Sequence, residues 1–264
     1  MKYLKLYEHK LHKTTQDMLD YIEHLSIKTL VFIDTETTGL LRHKIEQLTQ
    51  ISAIAFEYDF ENNQLDEIDT FNNKIKLTPY TLNRRNTPEG KKQLDWVLRF
   101  NHYGNKIANN PKYLNEKEVL NIFLDWLDKI DNPVLILQNA SFDMDMICGR
   151  SGEKIKYEIL DTKQLLQYFV IPITQKLAED FPEYGKSLKE IGISERDKGL
   201  INSSMSKWGT FFGIDMKGYH DGLTDCRITS QMFLEIINYM EENKNLDISI
   251  YQNKRIKLVR IDGN

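Results

Sequence analysis

The segment Thr29-Leu30-Val31-Phe32-Ile33-Asp34-Thr35-Glu36-Thr37-Thr38-Gly39-Leu40 decides how this chain folds. Thr29 to Ile33 is a short, uncharged, β-rich run, which suits a central strand buried on both faces. Asp34 and Glu36 follow at once, and a strand's period of two puts both carboxylates on one face. Paired acids at the end of a buried strand repel each other and lose hydration. A divalent cation removes that cost, and oxygen-only ligands suit Mg²⁺ or Mn²⁺. The apolar run before the pair argues against an accidental surface Asp-x-Glu.

Two further segments have the same character. Leu137-Gln138-Asn139-Ala140-Ser141-Phe142-Asp143 also ends an apolar strand. Asp143 should fall in the first turn of the next helix, with Ser141 as its cap. His220-Asp221-Gly222-Leu223-Thr224-Asp225-Cys226 places His220 in a Gly-flanked loop and Asp225 at the start of a long amphipathic helix. Histidine changes protonation near neutral pH and can take a proton from water. His9, His12, His24, His43 and His102 lack such a setting and read as surface residues.

Around these segments the pattern is mixed. Thr14 to His24 reads as a helix capped by Thr14 or Thr15, with Met18, Ile22 and Leu25 on one face. Gln50 to Asp59 and Gln64 to Ile75 read as strands joined at Asn62-Asn63, completing an antiparallel meander. Thr87-Pro88-Glu89 opens a helix, and another runs from about Glu116 to Lys129. Val134 to Leu137 and Ile155 to Leu160 read as strands, and Thr162 to about Phe169 as a helix. Shorter helical pieces fill residues 171–219, and Thr224 to Glu242 forms the long amphipathic helix. Asp247 to Ile261 alternates like a strand pair turning at Asn253-Lys254. Strands first, then strand–helix alternation, predict an α/β fold with a mixed sheet.

The 264 residues are 41% hydrophobic and 28% charged, which excludes collagen-like, disulfide-scaffold and low-complexity classes. The formal net charge of −4 is unusual for a nucleic-acid binder, which tends to be basic. Cys148 and Cys226 show no metal-ligand spacing and read as buried thiols in a reducing compartment. Met1 to Lys10 is charged throughout, unlike a signal peptide, and no apolar run approaches a membrane span. The expected location is cytoplasmic.

Taken jointly, the three acidic segments resemble the DEDD superfamily of 3′-to-5′ exonucleases, in its histidine branch (DEDDh). That group includes bacterial replicative proofreading subunits, ribonuclease T and oligoribonuclease. Its Asp-Thr-Glu-Thr-Thr-Gly string stands here as Asp34 to Gly39, its Asn-Ala-x-Phe-Asp as Asn139 to Asp143, and its His-x4-Asp as His220 to Asp225. Asp221 occupies the position where the tyrosine branch has Tyr, so the histidine branch fits. Gln138 stands where the family often has His.

The resemblance implies a ribonuclease H-like fold, a mixed central sheet of about five strands flanked by helices. It implies an exonuclease domain over residues 29–242, with insertions near 83–113 and 172–217, a helical extension at 1–28 and a strand-like one at 243–264. The implied reaction is two-metal hydrolysis of single-stranded nucleic acid from its 3′ end to nucleoside 5′-monophosphates, with two Mg²⁺ or Mn²⁺ ions. Asp34 would bridge both ions, Glu36 and Asp225 would complete one site, and Asp143 would support the second. His220 would be the general base. Thr37, Thr38, Gly39, Leu40, Asn139 and Phe142 would contact substrate. The four acids match the whole formal charge of −4, which two divalent ions would cancel.

The implied partners are 3′ ends of single-stranded DNA or RNA, with DNA favoured, together with a polymerase or other replication or repair protein, and no membrane. Lys186 with Lys189, and Lys254-Arg255 with Lys257 and Arg260, are candidates for tracking a phosphate backbone. Trp208, Phe211 and Tyr219 are candidates for stacking on bases or for the core. The alternatives are an RNA-processing exoribonuclease of the same family, or a catalytically silent module that binds nucleic acid or a polymerase.

Overall fold

A computed structural model describes residues 14–41, 43–101, 103, 110, 112–193, 195–196, 200–201 and 203–252. Helix α1 (Thr15–His24) starts in a capping box, in which Thr14 and Asp17 satisfy each other's backbone N–H groups. Strands β1 (Thr29–Thr37), β2 (Leu48–Asp59) and β3 (Gln64–Lys74) follow as the expected antiparallel meander. Asn63 takes the left-handed conformation in the β2–β3 turn, at φ 47°.

Helix α2 (Pro79–Asn83) and helix α3 (Pro88–Phe100) each begin with Pro behind a capping Thr, Thr78 and Thr87. Helix α4 (Glu116–Leu127) is capped by Asn115 and leads to β4 (Pro133–Leu137). Helix α5 (Ala140–Ser151) and strand β5 (Glu158–Asp161) complete the sheet, whose order is β3-β2-β1-β4-β5. Strands β4 and β5 run parallel to β1, so the sheet is mixed and five-stranded, as the α/β reading requires.

Helix α6 (Thr162–Leu165) passes through a π-turn (Leu166–Val170) into α7 (Ile171–Asp180). Pro172 cannot donate to the carbonyl of Tyr168, and Gln252 Nε2 supplies that bond instead at 2.9 Å. Helix α8 (Pro182–Glu190), the short pair β6 (Glu195–Arg196) and β7 (Leu200–Ile201), and α9 (Met205–Phe211) precede the long α10 (Gly222–Glu242).

The strand pair expected over Asp247 to Ile261 is not formed where it can be seen. Residues 249–252 are helical, and 253–261, with the proposed turn and its basic cluster, lie outside the described residues. Ile248 is buried in the core and Gln252 is committed to Tyr168, so this stretch packs as a helical turn.

Alternation along β1 divides the core. Leu30 and Phe32 face α1, α7 and α10, while Val31 and Ile33 face α4 and α5. Phe32 meets Phe56 and Phe233 edge to face, at 5.5 and 5.7 Å between centroids. Burying such a ring is worth roughly 1.5–3 kcal/mol and fixes α10 over β1. Met18, Leu19 and Ile22 of α1 are buried in the same core. No helix among the described residues is long and apolar enough to cross a membrane.

Candidate active site at the end of the central strand

Asp34 and Glu36 continue the face of Leu30 and Phe32, so they point toward the first turn of α10. The sheet register repeats that polarity on the neighbouring strands. Asp34 stands opposite Ser52, which stands opposite Asn72; Glu36 stands opposite Gln50, which stands opposite Lys74. Gln50 Nε2 donates to Ser52 Oγ (3.1 Å) and to Asn72 Oδ1 (2.9 Å), and Ser52 Oγ donates to Asn72 Oδ1 (3.1 Å). This polar floor was not singled out from the sequence. Its signal was there, in Gln50-x-Ser52 and Asn72-x-Lys74 alternating at strand period, but reading it needs the register.

Asp143 reaches the site from the other side of β1. Strand β4 pairs with β1 only as far as Phe32, so the N–H of Thr35 projects past its end. Asp143 Oδ1 accepts that N–H at 3.0 Å and the Thr35 hydroxyl at 2.6 Å. The cap of α5 is Asn139, in the left-handed conformation (φ 72°), and Ser141 lies exposed within the first turn. The expected Ser141 cap is therefore replaced. Asp161 accepts the N–H groups of Asn139 (2.9 Å) and Ala140 (3.1 Å), which serves the helix end without a side-chain cap. The Asn139 side chain itself accepts from Lys163 Nζ at 2.8 Å.

The third segment closes the cluster. His220 is left-handed (φ 73°), and its N–H donates to both carboxylate oxygens of Asp225 at 3.2 Å each. Ligand atoms of Glu36, His220 and Asp225 lie within 4.8 Å of one another. The His220 ring sits between Phe100 and Tyr219, each 3.8 Å away by centroid. Trp96, 57% exposed, stacks on Phe100, 42% exposed, at 4.9 Å, so a row of rings runs from solvent to the acids. Trp208 lies fully in the core instead, with Phe211 edge-on to it.

The electrostatics follow from burial and crowding. Burial, then Glu36, Asp225, Asp143 and Asp221, raise the Asp34 carboxyl well above the usual carboxylate range. Glu36 is pushed up to about 9 by burial and by Asp225, Asp143 and Asp221, against the opposing charge of Lys74. Burial lifts Asp143 to about 7 despite its bonds from Thr35. It lifts Asp225 to about 7 as well, opposed by the His220 N–H and reinforced by Asp221. Asp34 Oδ2 is enclosed and accepts no hydrogen bond among the described residues. An orphaned carboxylate oxygen among crowded acids fits a divalent cation held by hard oxygen donors.

The segment 37–40 is braced by its own contacts. Thr37 Oγ1 donates to the Gly39 carbonyl, Thr38 Oγ1 donates to Glu46, and Asn101 Nδ2 donates to the Thr37 carbonyl. Arg84 pairs with Glu46 at 2.7 Å. A Cβ at Gly39 would stand 2.6 Å from Glu46 Oε1, so a side chain here would push the Glu46 carboxylate away from Thr38 and Arg84. Leu40 is 91% exposed beside this loop, and Phe142 is half-buried against the second core. His43, expected on the surface, is instead half-buried and bonded to Asp145 at 2.9 Å.

The chain matches no protein-family model and no curated protein. Solved structures share its fold. E. coli Exonuclease I bound to a dA16 oligonucleotide is 16% identical, with a TM-score of 0.54, covering 83% of this chain and 42% of that one. The same enzyme in a zinc-bound complex with single-stranded DNA is 15% identical at a TM-score of 0.50, covering 78% and 40%. Cell-death related nuclease 4 is 15% identical, with a TM-score of 0.51, over 80% of this chain and 64% of that one. The RNase domain of yeast Pop2 is 12% identical, with a TM-score of 0.50, over 84% and 81%. The chain thus spans less than two thirds of Exonuclease I and of nuclease 4. The shared architecture is the ribonuclease H-like fold: a mixed five-stranded sheet with flanking helices.

Proposed function

We propose that this chain is a metal-dependent nuclease that removes nucleotides from the 3′ end of single-stranded nucleic acid, DNA favoured, and releases nucleoside 5′-monophosphates. One observation carries the reading: buried carboxylates and one imidazole converge at the C-terminal end of β1, with Asp34 Oδ2 left without a partner. Nothing in the fold's own stability calls for such a cluster, because each buried acid costs free energy unless a cation compensates it. The likeness in fold to two nucleases and an RNase domain supports the same reading.

Asp34, Glu36, Asp143 and Asp225 would hold two divalent ions, Mg²⁺ or Mn²⁺, which when bound supply an activated water and neutralise charge on the leaving 3′-oxygen. The histidine-branch assignment gives His220 the proton of the attacking water, accepted at a ring nitrogen. The N–H bonds from His220 to Asp225 hold that loop over the acids. Thr35 keeps the Asp143 carboxylate turned to β1. Leu40, exposed beside the site, offers an apolar surface to the terminal nucleotide. Thr37, Thr38 and Gly39 serve it by bracing the loop, and Asn139 and Phe142 would contact it from the start of α5.

In this account residues 29–242 form the nuclease domain, extended at 1–28 and 243–264 and enlarged near 83–113 and 172–217, and act in the cytoplasm. A polymerase or another replication or repair protein would be its partner chain. An RNA substrate is the second reading, favoured by the Pop2 RNase domain, of which the chain spans 81%. Digestion of matched single-stranded DNA, duplex DNA and RNA, each labelled, with Mg²⁺ or Mn²⁺, tests both. Mononucleotide release from the single strand is expected, and no release from any of the three contradicts the proposal.

A further inference from the structure

Lys74 is the last residue of β3 and shares the sheet face of Glu36 and Gln50. Two strand spacings, roughly 10 Å, separate its backbone from that of Glu36, and a lysine side chain spans much of that distance. Its charge acts on Glu36 directly, opposing the acids that crowd that carboxyl. Lys74 is therefore a cation at the edge of the acid cluster, acting on Glu36 and lying beside Asp221.

Its tether is loose. Lys74 Nζ lies 3.6 Å from Asp221 Oδ2, beyond ordinary hydrogen-bond length, and both side chains remain partly open to solvent. Among the described residues Lys74 donates no hydrogen bond. Two other cations near the site are committed. Arg84 bonds Glu46 and Thr38, and Lys163 bonds Asn139. Asp221 has no capping duty either, although it sits at the N-cap of α10. Its carboxylate burdens Asp34, Glu36 and Asp225 with added negative charge, and among the described residues Lys74 is the cation that pairs with it.

A flexible ammonium with free donors, partly exposed and aimed at a cation site, has the chemistry of a phosphate ligand. We propose that Lys74 is a phosphate-binding residue of this site, kept in place by Asp221 and transferred to a non-bridging phosphate oxygen when a nucleotide enters. This rests on the nuclease reading above. Two divalent ions and Lys74 would together balance the five carboxylates, so Lys74 contributes the charge that the ions alone leave unmet.

The test is calorimetric titration of the full chain with thymidine 5′-monophosphate in Mg²⁺. Lys74→Met should weaken binding at least about tenfold, and Lys74→Arg should stay within about threefold of wild type. Asp221→Asn should tighten binding in the wild-type background by more than it does beside Lys74→Met, and that difference, read as a double-mutant cycle, isolates the pair from the direct charge of Asp221. The Asp221→Asn arm stands even if Lys74→Met fails to fold. Equal affinity in wild type and Lys74→Met, or no tightening by Asp221→Asn, overturns the assignment and leaves the nuclease reading intact. Absence of any binding by the wild-type chain overturns both.

Discussion

Gly222 lies directly against Asp34: a Cβ at position 222 would stand 3.4 Å from Asp34 Oδ2 and 2.6 Å from Ser52 Oγ. Helix α10 can therefore approach β1 only because its first residue has no side chain. Gly222→Ala should cost about 1–3 kcal/mol by overpacking and lower activity as the helix withdraws. Urea unfolding measures the first effect. Ser52→Gly in the same chain removes the nearest clash and should return part of the loss. A fully stable, fully active Gly222→Ala chain would contradict the close approach.

The crowded carboxyls make stability depend on pH. Glu36 is raised to about 9, and Asp143 and Asp225 to about 7, against unfolded values near ~4. Between those limits the folded chain binds more protons than the unfolded one, so the unfolding free energy falls as pH rises. Metal-free protein should melt at progressively lower temperature from about pH 5 to pH 9. Mg²⁺ competes with those protons, so its stabilising effect should grow over the same range. Thermal melts with and without Mg²⁺ check this, and a metal effect independent of pH would contradict it.

His220 has two chemical roles open to it, because its ring nitrogen lies close enough to Glu36 and Asp225 to ligate an ion as well as to take a proton. The account assigns it the proton. His220→Gln should lower turnover by about 10²–10⁴-fold and leave Mg²⁺ affinity within about tenfold of wild type. Titration of Mg²⁺ by thermal shift separates the two, since a ligand's loss would weaken binding with turnover.

The left-handed Asn139 gives a test that does not depend on catalysis. At φ 72° an ordinary side chain costs about 1–2 kcal/mol, whereas glycine does not. Asn139→Gly should leave stability near wild type, and Asn139→Ala should lower it by about that amount. Denaturant midpoints compare them, and equal midpoints would refute the strained cap.

Much of the sheet could be read beforehand because each strand carries its own pattern. The meander, the apolar β4 and the long amphipathic α10 all announce themselves within a few residues. The acids Asp34, Glu36, Asp143 and Asp225 were legible because each ends or opens an element. What could not be read depends on contacts between distant segments. The polar floor of Gln50, Ser52 and Asn72 requires the antiparallel register. The tilted ring contact of Phe100 with His220 brings together α3 and the loop before α10, which no local pattern links. The helical turn at 249–252 overrides an alternating pattern because Gln252 satisfies the carbonyl freed by Pro172. Ser141 gave way to Asn139 as the cap because Asp161, from another strand, already serves the helix end.

The central claim is that Asp34 anchors a metal-dependent nuclease site. It is tested most directly by following a 3′-labelled single strand in Mg²⁺ with wild-type chain and with Asp34→Ala. The account predicts mononucleotide release by the wild type and its loss in the variant. An Asp34→Ala chain that releases mononucleotides at the wild-type rate would contradict it.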